Sequence, residues 1–168
     1  MEKDKREELM SRLSRAWDEI MSSSEKQRIR QIWQSSQKDT LTQEEDKRLA
    51  KILIEHKEFH NYWESSHTGQ TTKTPEGVNP FLHVSLHLII ENQLARNNPS
   101  QVYRFYLREI DKGVLRHQEI DKGVLRHQVI HRIAAIFSEI LFASLKYRKP
   151  FNREKYLQLL EEEIQREN

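Results

Sequence analysis

A chain of 168 residues, 36% apolar and 32% charged, is long enough to bury a core of its own and needs neither a disulfide nor a structural metal to hold it. It has no cysteine, which excludes thiolate chemistry, redox switching and cysteine-bound zinc. The formal charge of +2 comes from interleaved acids and bases that form no basic stripe, so nucleic acid is not expected as a partner, and four glycines and four prolines suit a helical protein better than a β-sandwich.

The first ~20 residues carry Leu9, Leu13, Trp17 and Ile20 near helical spacing, which reads as an amphipathic helix added before the main domain, over residues 1–24. Ser22, Ser23 and Ser24 interrupt it. A second helical stretch holds Ile29, Ile32 and Trp33 and ends in the polar run 35–40. Thr42 followed by Glu45 is a capping box that opens a helix running to about Trp63. Residues 65–78 turn to Thr, Ser, Gly and Pro, a loop. Asn79 then caps a helix with Pro80 in its first turn, where the missing amide proton costs nothing, and this helix runs to Asn97. Asn98 and Pro99 repeat the start signal for a helix through Glu109, and a long helix covers about 124–147. Pro150 stops it, and Asn152 begins a last helix with Tyr156, Leu159, Leu160 and Ile164 on one side. The expected architecture is all-α: one helical bundle over residues 25–168 whose central layer is formed by the helices at 42–64, 80–97 and 124–147.

Residues 109–118 read EIDKGVLRHQ, and residues 119–128 read the same ten letters again. Within a continuous helix, ten extra residues would rotate everything downstream by about 80° and shift it by ~15 Å, so the apolar stripe would miss the core. The cheaper solution places the inserted decapeptide in an extended elbow between two helices, with Gly113 and Gly123 able to end a helix there. His117, the duplicate of His127, is then a bystander.

Six of the eight histidines form three pairs spaced four apart: His56 and His60, His83 and His87, His127 and His131. On a helix that spacing aims two imidazoles in one direction, and three pairs on three helices can converge. Neutral imidazole binds Zn, Ni, Cu or Fe, so the six rings are the candidate ligands of Zn or another transition metal. Glu91, one turn beyond His87, is a further candidate as ligand or as base for metal-bound water. The competing reading is a non-enzymatic interaction or scaffold protein whose histidines are structural. A cluster that loosens when its imidazoles are protonated is a third.

Around these pairs the chain resembles a bacterial family of unknown function, the domain of unknown function numbered eighteen forty-one. The resemblance rests on Trp33, Leu41-Thr42, His56-Lys57-Glu58-Phe59-His60, Thr74-Pro75-Glu76, Asn79-Pro80-Phe81-Leu82-His83-Val84-Ser85-Leu86-His87-Leu88, Gln93, and His127 with His131, over about residues 26–165. Against that pattern the spacing from Pro99 to His127 is ten residues long, which agrees with one inserted decapeptide. Asn92 and Ala135 stand where the family tends to carry acids. The family supplies no activity to borrow.

Other features point elsewhere more weakly. Tyr103, Phe105 and Tyr106 beside Arg104 and Arg108 divide between core and solvent, and Trp17, Trp33 and Trp63 read as core anchors or interface residues. There is no glycine-rich phosphate loop, nucleophile elbow or Asp-rich calcium loop, so no nucleotide cofactor is expected. No apolar run approaches the ~20 residues that span a bilayer, and the start lacks a signal peptide's apolar stretch. The expectation is a cytoplasmic protein without a membrane partner, whose amino-terminal helix, with Trp17, docks a protein partner or a second copy.

Overall fold

The computed structural model describes residues 23–64, 74–75, 77–116 and 122–166. The amphipathic segment with Trp17, and residues 117–121 of the decapeptide repeat with His117, lie outside them. The described residues form seven α-helices and no strand: α1 Ser23–Ser36, α2 Glu44–Glu55, α3 His60–Glu64, α4 Pro80–Arg96, α5 Ser100–Arg116, α6 Lys122–Tyr147 and α7 Arg153–Gln165, with a 3-10 turn Lys57–Phe59 between α2 and α3. The all-α expectation holds. Contacts divide the chain into two compact units, with the boundary between Leu88 and Ile89, inside α4.

Two start signals work as expected. Asn79 Oδ1 accepts the Leu82 amide at 3.1 Å, and Asn152 Oδ1 accepts the Lys155 amide at 2.9 Å. The capping box at Thr42 does not form. Helix α2 begins from Gln43 without a side-chain cap and relies on Glu44, Glu45 and Asp46, whose charges suit the positive end of the helix dipole. Three helix ends are marked by left-handed residues, a conformation that the sequence reading did not assign to them. Asp39, Asn97 and Arg148 have φ of 51°, 45° and 51°. In each case the next residue's amide reaches back five residues, from Thr40 to Ser35, Asn98 to Gln93 and Lys149 to Ser144, which closes the helix without glycine.

In the first unit, Ile29, Ile32 and Trp33 of α1 meet Leu49, Ala50, Ile52 and Leu53 of α2, and the core continues through Phe59, Trp63, Phe81 and Val84. The exposed edge carries Arg28 against Asp46 at 2.8 Å, a surface pair of small energetic weight.

The second unit packs α5, α6 and α7 against one another and takes in the carboxyl-terminal end of α4. Its core holds Ile90, Val102, Phe105, Val129, Ile130, Ile133, Tyr156 and Leu160. Helix α6 is the one described helix long and apolar enough to cross a bilayer, where the sequence reading expected no apolar run of that length; Leu125, Val129, Ile130, Ile133, Ala134 and Ile140 on it are buried within the protein. Glu109 is buried beneath Arg132, with Lys112 3.9 Å away.

Gly113 does not end a helix. It lies within α5, where a Cβ would sit 2.4 Å from Leu125 Cδ1 of α6. Gly113→Ala gains about 1 kcal/mol of helix propensity but overpacks Leu125, which costs roughly 1–3 kcal/mol. The expected net result in urea unfolding is a loss of about 1 kcal/mol. In a Leu125→Ala background the same substitution becomes stabilising.

Tyr156 is buried, its hydroxyl donating to Gln93 Oε1 at 2.9 Å. Burial pushes its phenol above the ordinary tyrosine range. Because the folded state holds the proton more tightly than the unfolded one, this contribution is intact below roughly pH 10 and is lost as pH rises above it. Tyr156→Phe is expected to cost about 1 kcal/mol at neutral pH through the lost hydrogen bond. Above pH ~10 it should also flatten the decline in stability, which urea titrations at pH 7 and in alkali would show.

Candidate metal centre

The site begins where α2 stops. Regular helix ends at Glu55, and His56 turns out of it with φ −92° and ψ 65°. Its amide and its Nδ1 both reach the carbonyl of Ile52, at 3.2 and 2.7 Å. A carbonyl only accepts, so Nδ1 carries a proton, and in that neutral tautomer Nε2 is the acceptor nitrogen. The same arrangement fixes ligand tautomers in metal sites, where the far ring nitrogen is tied to a backbone oxygen.

Helix α4 brings His83 and His87 to this nitrogen. His83 Nε2 lies 2.9 Å from His56 Nε2, and since His56 can only accept there, His83 donates. The rings of His56 and His83, His56 and His87, and His83 and His87 have centroids 4.7, 4.6 and 4.8 Å apart. Each ring offers a nitrogen within 4.8 Å of those of the other two. His56 and His87 are 1% and 2% exposed. Phe59 lies parallel to His56 at 6.0 Å and edge-on to His83 at 5.3 Å, an apolar wall beside the two rings.

The donor set suits a transition metal. Two imidazoles bound to a tetrahedral ion at ~2.0–2.1 Å have their nitrogens about 3.3 Å apart, so the His56 and His83 nitrogens need separate by only about 0.4 Å. His83 would move its proton to Nδ1, a tautomer change that releases no proton.

His60 corrects the sequence reading. The expected pairing with His56 on one helical face requires a continuous helix, and the break at His56 removes it. His60 turns back instead: its Nε2 donates to the Leu53 carbonyl at 3.1 Å, and its ring lies 4.5 Å from Trp33. The other two pairs keep helical geometry, with His127 and His131 on α6, ring centroids 4.3 Å apart. Glu91, one turn beyond His87 on α4, has both carboxylate oxygens accepting from Arg126, whose guanidinium also lies over Tyr106. Service as a ligand or base requires opening that pair. The sequence reading missed three things here: the break at His56, the carbonyls of Ile52 and Leu53 as partners, and Arg126. Neither glycine nor proline marks the break.

Compared with known proteins, residues 22–162 match the family described as Domain of unknown function (DUF1841). No curated protein and no solved structure matches the chain.

Proposed function

The chain belongs to the DUF1841 family, whose description assigns no activity, and we propose that it is a transition-metal-binding protein in which His56, His83 and His87 supply ligand nitrogens. One observation carries this reading: the acceptor Nε2 of His56, fixed by the Nδ1 bond to Ile52, faces His83 Nε2 at 2.9 Å. Zn is the first expectation, and Ni, Cu or Fe would suit the same imidazole set. A Zn ion held by these nitrogens would supply Lewis-acid chemistry, making a water acidic enough to serve as a nucleophile near neutral pH. His56, His83 and His87 would hold the ion, Ile52 orients His56, and Phe59 would limit access of water.

A second reading is favoured by the same contact. The His83 to His56 hydrogen bond satisfies both atoms without an ion, as it would in a scaffold protein with structural histidines. Residues 1–24 would then be the docking helix for a partner.

Metal content separates the two. Protein purified without an affinity tag is expected to carry, or to take up from Zn or Ni, about one equivalent of metal that is released by acid, because ligating imidazoles must be neutral. Less than ~0.1 equivalent after incubation with either ion would contradict the metal reading.

A further inference from the structure

We infer that His60 is a positioning residue for this site: it replaces the backbone donor lost at the helix break and so holds His56 in the orientation that presents Nε2 to His83. In an unbroken helix the Leu53 carbonyl would accept the amide of Lys57, four residues on. The 3-10 turn Lys57–Phe59 puts the chain on another path, closed by the Phe59 amide on the His56 carbonyl at 3.0 Å. The Leu53 carbonyl belongs to a fully buried residue, and His60 Nε2–H supplies its bond at 3.1 Å. Consecutive carbonyls at the end of α2 are thus gripped by two imidazoles, Ile52 by His56 and Leu53 by His60.

The grip is rigid at both ends. Trp33 of α1 lies against the His60 ring at 4.5 Å and Trp63 lies at 6.4 Å, so the ring cannot turn away without disturbing the core. Without His60 the Leu53 carbonyl is better served by Lys57, which lets α2 continue through His56 and ends its non-helical φ and ψ. His56 would then swing away from His83. The metal part of this inference rests on the reading above, but the effect on His56 does not.

The atoms suggest the test. A glutamine side-chain nitrogen falls where histidine Nε2 does, whereas an asparagine nitrogen falls where Nδ1 does. In the full-length chain, His60→Gln should therefore keep the Leu53 bond, and His60→Asn and His60→Leu should lose it. Cobalt(II) is the probe, because its visible absorption reports tetrahedral nitrogen coordination. The expected result is unchanged affinity and spectrum for His60→Gln, and affinity at least about tenfold weaker for His60→Leu and His60→Asn. A spectrum altered in all three variants alike would make His60 a ligand and overturn the inference. So would a His60→Leu protein that binds cobalt as tightly as the parent.

A second readout needs no metal. Nitrogen-15 NMR of the His56 ring should show the Nδ1–H tautomer in the parent and in His60→Gln, and a mixture in His60→Leu. If the parent binds no cobalt, the metal reading falls by itself. The tautomer then decides: a mixture in His60→Leu supports the positioning role, and an unchanged Nδ1–H signal overturns it.

Discussion

Replacing His56 by asparagine should abolish metal binding while leaving the fold nearly intact. Asparagine places its side-chain nitrogen where His56 Nδ1 lies, so the bond to the Ile52 carbonyl at 2.7 Å can survive while the Nε2 donor disappears. Affinity for Zn should fall by at least about 100-fold, since a ligand is lost where loss of an outer partner already costs 10–100-fold. The fold should lose no more than about 1–2 kcal/mol, from the smaller volume and the missing contact with Phe59. His56→Gln makes the opposite trade, keeping a donor near Nε2 and losing the Ile52 bond. It should bind no metal tightly, because an amide is a poor ligand for these ions, and should be the less stable of the two. Isothermal titration with Zn and urea unfolding on the same samples check both halves. Full-strength Zn binding by His56→Asn would remove His56 from the site.

Trp63→Ala should be the most destabilising single change in the first unit. Trp63 is 1% exposed, and its ring centroid lies 6.4 Å from Trp33, 6.1 Å from Phe59 and 6.3 Å from Phe81, the last two edge to face. Truncation of such a residue removes its transfer energy and leaves a cavity that rigid aromatic neighbours cannot close, costing roughly 3–5 kcal/mol. Its buried Nε1–H has no acceptor among the described residues, so Trp63→Phe sacrifices no hydrogen bond and should cost much less, about 1–2 kcal/mol. Phe59 stands between Trp63 and His56, so the alanine variant should also lose metal affinity. Urea midpoints for the two variants give the comparison; equal losses would mean that ring volume is not what Trp63 contributes.

The parts of this molecule legible in its sequence are those set by local chemistry. Asn79 with Pro80 and Asn152 act through bonds three residues away, and both caps form where the pattern placed them. His83 and His87 lie together because α4 is continuous through them. What escaped depends on side-chain pairings that no local pattern of residue types signals. The break at His56 is stabilised by two imidazoles on two carbonyls and by Trp33 against His60, and nothing in the letters near residue 56 announces it. Glu91 read as an open carboxylate because its partner, Arg126, lies 35 residues on in the second decapeptide copy. Gly113 read as punctuation, whereas the need for glycine there comes from Leu125 on the next helix. The helix ends near Asp39, Asn97 and Arg148 fall close to where the sequence placed them, but the left-handed conformation of those three residues, which glycine would ordinarily signal, was not legible.

X-ray absorption at the Zn edge of the loaded, untagged protein tests the account most directly. The account predicts a first shell with at least three imidazole nitrogens at about 2.0–2.1 Å, falling by one in a His83→Ala protein that still retains metal. A first shell of oxygens alone, or a nitrogen count that His83→Ala leaves unchanged, would contradict it.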